Sequence, residues 1–403
     1  MKMLTLNAGS NSLKFEVVDQ PGSRDHFGTS LLAGSIDDIG KGNAAFSLLQ
    51  HKKTTCKKPM EVADHGVATR IVLDWFDGGH AKRQGVASLA SIERIGHRIV
   101  HGGDALTKTT RITDSLLAKI NDWKPLAPFH TASVQRVIAA VQSRVGDSMP
   151  MYAVFDTAFH RHLPEEAALY ALPLTMAKQH RIRRYGFHGI SHHYLALRYA
   201  TLVERPLQEL KLITLHLEGG SSAAAIRNGQ SVDTSMGLTP LEGLMMGTRC
   251  GDLDPSAVLH LMRKEGWTTD QAESFLNKQC GLAGVSGVSA DTRELVKAVD
   301  KPDANLALQM FCYRVRKYIG AYLAVLGGAD AIVFGGGIGE DTPLVRERIC
   351  EGLGWCGAIL DPQRNSQAIE RESKISASNS ATAIWVVPTE EGLMMAREMA
   401  RAD

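Results

Sequence analysis

No apolar run in this 403-residue chain approaches the roughly 20 residues that a membrane-spanning helix needs. No block of like charge interrupts the near balance of 45 basic and 43 acidic residues, net +2. That excludes the basic or acidic footprint of a nucleic-acid or membrane-surface binder. The six cysteines, Cys56, Cys250, Cys280, Cys312, Cys350 and Cys356, are scattered and form no C-x-x-C. Such spacing argues against a zinc ribbon and a disulfide framework, and it fits reduced thiols. The first residues lack a charged-then-apolar signal region and enter a strand pattern at once. A soluble, cytoplasmic protein of two or more domains is expected.

Apolar strand-like runs recur at Leu4–Leu6, Leu13–Val18, Ile92–Val100, Tyr152–Phe155, Leu212–Leu217 and Ala331–Phe334. Helical patterns lie between them, over Ser133–Val145 and Ala307–Val325, and the alternation predicts an α/β fold. Asp254-Pro255 and Thr342-Pro343 each read as a helix start, with an N-cap followed by proline at the first helical position. Glu390–Arg401 reads as a closing helix after an apolar strand, Ala383–Val387. Residues 23–60 and 361–380 look irregular. A domain boundary is expected near 155.

One pattern occurs twice. Leu4–Val18 is an apolar strand, a turn of small residues (Asn7-Ala8-Gly9-Ser10-Asn11-Ser12) and a second apolar strand, and Leu212–Ile226 echoes it around Glu218-Gly219-Gly220-Ser221-Ser222. Glycine and hydroxyl residues let backbone N–H groups approach and cradle a phosphate. A plain hairpin accounts for the turn residues. It does not account for Asn7, Ser10, Ser12 and Lys14 gathering in and beside one turn. Aligning Leu6 with Leu217 sets Ser12 and Lys14 opposite Ala223 and Ala225. Only the first turn then carries a cation and a full set of hydroxyls, so it is assigned the reacting phosphate.

Four further segments carry chemistry-bearing residues. Ile95–Gly103 alternates along a strand, with Arg98 and Val100 on one face, which suits either a structural ion pair or a guanidinium clamp beside an apolar wall. Asp156 stands at the C-terminal end of an apolar strand, as a helix cap or as a site carboxylate. His188 and His192 are four apart, half of a zinc site at most, with no carboxylate base between them and Gly189 weakening the helix. A phosphate-donor role for His188 is the better reading. The segment Asp233–Asp252 is long for a plain loop and is built around Arg249. Finally, Ile332–Glu340 is a strand running into a glycine loop ahead of a helix, a weak nucleotide-type signal by itself.

Together these segments resemble the acetate kinases over essentially the whole chain. The resemblance is carried by Asn7-Ala8-Gly9-Ser10, Gly96-His97-Arg98 with His101-Gly102-Gly103, Asp156–His160, Tyr185–His192, Asp233–Asp254, Gly335–Glu340 and Pro388-Thr389-Glu390-Glu391. It implies an α/β protein of duplicated actin-like (ribonuclease H-like) domains with an interdomain active-site cleft that closes over substrates. One domain would be 1–155 plus 388–403 and the other, nucleotide-binding, 156–387. It also implies a homodimer, and reversible in-line phosphoryl transfer between ATP and acetate with Mg²⁺, for which Mn²⁺ can substitute.

By the same resemblance Arg98 holds the carboxylate, Arg249 and His188 stabilise the phosphoryl oxygens in flight, and His130 is a further phosphate-side donor. Asp156 orients an arginine or a metal-bound water. Asn7 and Glu391 are the metal-side residues, with Glu390 the competing choice for the latter. Ser10, Ser12 and Lys14 match the first phosphate turn; His216, Gly219, Gly220, Asp291, Arg293, Gly335, Gly336, Gly337 and Gly339 match the nucleotide side. The acetate methyl would sit among Val100, Phe129 and Pro240. Two departures stand out. Phe129 replaces the usual leucine, and Glu218-Gly219-Gly220 replaces Gly-Asn-Gly, which sets a carboxylate beside a phosphate site. Carboxylate and nucleotide preference are therefore the open questions, with a propionate-preferring relative and a non-catalytic nucleotide switch as the alternatives.

Overall fold

The computed structural model describes residues 1–22, 26–50, 53–78, 88–123, 126 and 128–402, excluding the side chains of Gln50, Lys53–Thr55, Pro128 and Phe129. The chain divides into two compact units, Met1–Ala158 with Glu390–Asp403, and Phe159–Thr389.

The first unit is built on an eight-stranded sheet. Its strands are β1 (Lys2–Ala8), β2 (Leu13–Asp19), β3 (Thr29–Asp37), β4 (Ala45–Gln50), β5 (Lys53–Pro59), β6 (Arg94–Ile99), β7 (Thr110–Arg111) and β8 (Met151–Phe155). Their order is β5-β4-β3-β2-β1-β6-β8-β7. The helices His65–Asp77 and Pro128–Val145 supply Ala68, Val72, Phe76, Val134, Ile138 and Val141 to its core, against Leu4, Leu6, Phe15, Ile95 and Ile99. The helix Glu391–Arg401 belongs to this unit: a methyl on Gly96 of β6 would stand 2.7 Å from the Met399 sulfur.

The second unit has six strands: β9 (Lys211–Leu217), β10 (Ser221–Arg227), β11 (Gln230–Thr234), β12 (Ala331–Gly335), β13 (Ser373–Lys374) and β14 (Ala383–Val386), in the order β11-β10-β9-β12-β14-β13. Its core is separate, with Leu308, Phe311, Val315 and Ile319 of the long helix Pro302–Leu326 packed with Ile213, Leu215, Ile332 and Phe334.

Five strands of each sheet follow one plan. In β3-β2-β1-β6-β8 the first two pairings are antiparallel and the last two parallel, and β11-β10-β9-β12-β14 repeats this order and sense. A parallel pairing needs a long crossover while an antiparallel pair needs only a tight turn, so the two plans carry the same connectivity. The echo in the sequence is the hairpin at the start of each copy.

Several expectations need correction. The two hairpins differ in turn length: Ala8 pairs with Leu13 across four residues, whereas Leu217 pairs with Ser221 across three. Matching the ladder ends places Lys14 opposite Ser222, not Ala225. The first turn remains the one with a cation. The supposedly irregular stretch 23–60 holds β3, β4 and β5. Its alternation is hidden because small residues occupy inward positions. Gly34 is required where Phe15 crosses β3, since a methyl there would stand 2.4 Å from the ring. Residues 361–380 likewise hold the helix Pro362–Gln367, capped by Asp361, and β13. The helix expected at Ser133 begins at Pro128. Asp254 caps its helix through Ser256 N at 2.8 Å, but Thr342 makes no side-chain cap bond.

Candidate active site

Each unit gathers its own set of the expected residues at the ends of its central strands. In the first unit the parallel register Leu6↔His97 sets Asn7 beside Arg98, and Ile99↔Phe155 brings the end of β8 alongside. The Arg98 guanidinium is fixed at two points. Its Nη2 donates to Asp156 Oδ2 at 2.7 Å and its Nη1 to Asn7 Oδ1 at 3.1 Å. Asn7 Nδ2 in turn donates to Glu391 Oε2 at 2.7 Å. The result is a continuous row, Asp156–Arg98–Asn7–Glu391. Asp156 is fully buried while Arg98 keeps 14% of its side-chain surface. The buried aspartate thus anchors the arginine from the end of β8. Glu391 reaches Asn7 from the first turn of its helix, where a carboxylate is favoured by the helix dipole.

The turn between β1 and β2 is braced by a residue that sequence reasoning missed. His65 Nε2 lies 2.9 Å from Gly9 O, and Gly9 N donates to Ser12 O at 2.8 Å. Burial is the main cause that lowers the His65 pKa below its usual value. Ser10 and Lys14 are exposed and Ser12 is half-buried. Val100 is buried just past β6, and His130 is half-buried in the first turn of Pro128–Val145. The Phe129 side chain lies outside the described residues. The segment His101-Gly102-Gly103 is structural: Gly103 has φ +61 and a methyl on it would stand 2.0 Å from the Trp123 indole, which stacks on His101.

In the second unit the tip of the β9–β10 hairpin, His188 and Arg249 converge. A methyl on Gly220 would stand 3.4 Å from His188 Nε2 and 3.5 Å from Arg249 Nη1. His188 caps the helix Gly189–Leu202 in the left-handed conformation, φ +53, a strained choice for a residue with a Cβ and one that clusters at functional sites. Its ring lies 4.3 Å from that of His216. His192 does not join it as a metal ligand: its two nitrogens are engaged by the Thr214 and Ser222 hydroxyls at 2.8 Å each. Glu218 Oε2, the unexpected carboxylate, stands 3.6 Å from His216 Nε2 within the same hairpin.

Arg249 rides on a pinned loop. It donates to Pro240 O at 2.9 Å, and Gly247 N donates to Gly219 O at 3.1 Å, tying the loop to the hairpin tip. Glu242 accepts from Arg184 at 2.7 Å and from Tyr170, whose hydroxyl also accepts from Leu238 N at 2.9 Å. Asp252 accepts from Gly243 N at 2.9 Å and from the Tyr318 hydroxyl at 2.8 Å. Burial is the largest cause raising the pKa of Tyr170 and of Tyr318, so both phenols stay protonated donors. Tyr170, Arg184 and Glu242 left no recognisable signal in the sequence, because their spacing matches no helix or strand period.

The glycine loop after β12 forms the helix Gly336–Asp341. Thr389 clips its start. Gly336 N donates to Thr389 Oγ1 and Thr389 N donates to Glu340 Oε1, both at 2.8 Å. A side chain on Gly219 or Gly337 would meet no protein atom within 4 Å. Behind the loop the fully buried Arg346 donates to the Gly339, Glu340, Asn365 and Ala368 carbonyls and to Asn365 Oδ1. Asp291 and Arg293 pair with each other at 2.7 Å at the start of the helix Thr292–Lys297, a local cap and ion pair.

No helix of the described residues is long and apolar enough to cross a membrane. The acetokinase family model matches residues 2–397. An acetate kinase of Solibacter usitatus is 45% identical, covering 100% of this chain and 98% of the relative, and one of Chloroherpeton thalassium is 43% identical, covering 100% and 99%. Among solved structures, acetate kinase from Porphyromonas gingivalis superposes with a TM-score of 0.86 at 36% identity, and a propionate kinase from Francisella tularensis with 0.88 at 35%, each covering 98% of both chains. The duplicated sheet plan is that of paired actin-like domains, and the chain belongs to the acetokinase family.

Proposed function

We propose that this kinase transfers the γ-phosphoryl group of ATP to acetate, reversibly, giving acetyl phosphate and ADP. The observation that carries the reading is the row Asp156–Arg98–Asn7–Glu391, an arginine held rigid between a buried carboxylate and an amide that leads to a second carboxylate. A guanidinium fixed in plane presents donors to a carboxylate in the geometry it needs, which lysine cannot do. By the family resemblance Val100, Phe129 and Pro240 are the residues assigned to the methyl group.

The acetate oxygen forms a bond to the γ-phosphorus while the bond to the β–γ bridging oxygen breaks and ADP leaves with its electron pair. Acetate is already ionised at neutral pH, so no general base is required. Catalysis rests on positioning and on neutralising charge. His188 and Arg249 donate to the phosphoryl oxygens in flight, with His130 as a further donor. Gly219 and Gly337, where a Cβ would meet no protein atom within 4 Å, leave backbone open for the nucleotide phosphates; Gly220, Gly335, Gly336, Gly339 and His216 stand beside them, and Ser10, Ser12 and Lys14 take the transferred group. The local cap between Asp291 and Arg293 leaves their nucleotide contact the weakest of these assignments.

Asn7 and Glu391 offer two neutral-or-anionic oxygen donors, a set that fits Mg²⁺ or Mn²⁺, which are held by one or two protein oxygens together with substrate phosphates. Such an ion, when bound, would neutralise charge on the phosphates. A homodimer in the cytoplasm completes the proposal.

Enzyme, MgATP and acetate trapped with hydroxylamine are expected to give acetyl hydroxamate, and none with any short carboxylate would sink the reading. The Arg98→Ala variant is expected to lose about 10²- to 10³-fold in hydroxamate formation; ATP turnover untouched by it would favour a nucleotide switch. Likeness to a propionate kinase keeps propionate as a second acceptor. The bulk of Phe129 favours acetate, by about 1–3 kcal/mol for one methylene at most, which kcat/KM for the two acids measures.

A further inference from the structure

We propose that Thr214, His192 and Ser222 form a one-way hydrogen-bond relay that holds His188 in the tautomer carrying its proton on Nε2. The inference rests on the phosphoryl-donor role of His188 and adds the residues that set it.

The relay is a row of three contacts. Thr214 Oγ1 lies 2.8 Å from His192 Nδ1, His192 Nε2 lies 2.8 Å from Ser222 Oγ, and Ser222 Oγ lies 2.8 Å from His188 Nδ1. Thr214, His192 and Ser222 are each fully buried. Desolvation holds the His192 pKa well below its usual value, so its ring is neutral with one N–H and one lone pair.

Counting donors fixes the direction. A buried hydroxyl hydrogen must find an acceptor. Among the described residues Thr214 has one within reach, His192 Nδ1. Thr214 therefore donates, His192 Nδ1 accepts, and the single His192 proton sits on Nε2, where it is given to Ser222 Oγ. The Ser222 hydrogen then has one acceptor left, His188 Nδ1. A neutral His188 must carry its own proton on Nε2, the atom that stands 3.4 Å from a methyl placed on Gly220 and so faces the hairpin tip. The reversed row would strand the Thr214 hydrogen in the core and leave His188 Nε2 a lone pair, which repels a phosphoryl oxygen. The same count applies to His216: Ser191, also fully buried, lies 2.7 Å from its Nδ1, which leaves the Nε2 proton directed at Glu218.

Thr214, His192 and Ser222 are thus positioning residues, acting on the transferred group only through His188. Long-range ¹⁵N–¹H correlation spectra of the ¹⁵N-histidine-labelled full chain read the tautomer directly, with His188 assigned by the signal lost in His188→Gln. The expected result is Nε2–H for His188 in the wild-type protein at neutral pH. Ser222→Ala is expected to mix the two tautomers and lower kcat about 10- to 100-fold, with KM for ATP and acetate within about twofold, and Ser222→Thr to restore both readouts. Nδ1–H in the wild-type spectrum, or an unmixed Nε2–H signal in Ser222→Ala, would overturn the relay. Should Ser222→Ala fail to fold, the wild-type spectrum decides alone. Nε2–H with no transfer to any carboxylate would support the relay while removing the proposed reaction.

Discussion

His97 and Glu218 show how a single residue in or beside a strand can be either silent or exposed to chemistry. His97 is 1% exposed, and neither ring nitrogen has a hydrogen-bond partner among the described residues. Burial alone pushes its pKa down to about 3. The unfolded chain, with the ordinary value near 6.5, therefore binds a proton between pH 6.5 and 3 that the folded chain refuses. The stability contributed by the neutral ring is complete above pH 6.5 and is lost as pH falls towards 3. At pH 5 the loss relative to pH 7.5 is about 2 kcal/mol, and thermal melts across that range should show it, with His97→Leu flattening the slope. Glu218, by contrast, keeps nearly half its side chain in solvent and stands 3.6 Å from His216. A carboxylate at a phosphate turn opposes nucleotide binding, so the pair Glu218→Gly with Gly219→Asn is expected to lower KM for ATP several-fold. An unchanged KM would mean that Glu218 does not act on the bound nucleotide. Residue types at Arg98, Asp156 and Asn7 were legible in the sequence. That they form one bonded row was not, since it depends on three strands and a helix drawn from positions up to 384 apart.

At the scale of elements, the strands and helix caps were the most legible because a period of two or 3.6 and a Pro at the first helical position are local signals. β3 escaped notice because Gly34 and Ser35 sit where large apolar residues would mark a strand. The loop carrying Arg249 has no periodicity to read at all. Its shape comes from Tyr170, Arg184 and Tyr318, all distant in sequence, which bond Glu242 and Asp252 within the loop. Tyr170→Phe removes the acceptor of Leu238 N and the donor to Glu242, a cost of about 1–3 kcal/mol borne by the loop. Slower turnover with faster proteolytic cleavage between 235 and 254 is the expected pairing; wild-type values of both would show that the loop holds without it.

At the scale of the molecule, two sheets of one plan enclose two separate cores. Chains of this kind depart from two-state unfolding when one core is stabilised alone. The glycine loop and the β9–β10 hairpin both belong to the second unit. Saturating MgATP, at about 100 times its Kd, should therefore add about 2.7 kcal/mol to that unit first and split or broaden the calorimetric transition. A uniform shift of one sharp transition would show instead that the two cores melt together.

What the amino-acid sequence determined by itself was the α/β class, the repeated strand–turn–strand and the kinds of residue available for phosphate and carboxylate chemistry. These follow from periodicity and side-chain type, which are local. The tertiary structure decided the register of the second hairpin, the fixing of Arg98 between Asp156 and Asn7, and the direction of the row from Thr214 to His188. Each of these depends on which buried donor meets which acceptor, and only the packing of distant strands determines that.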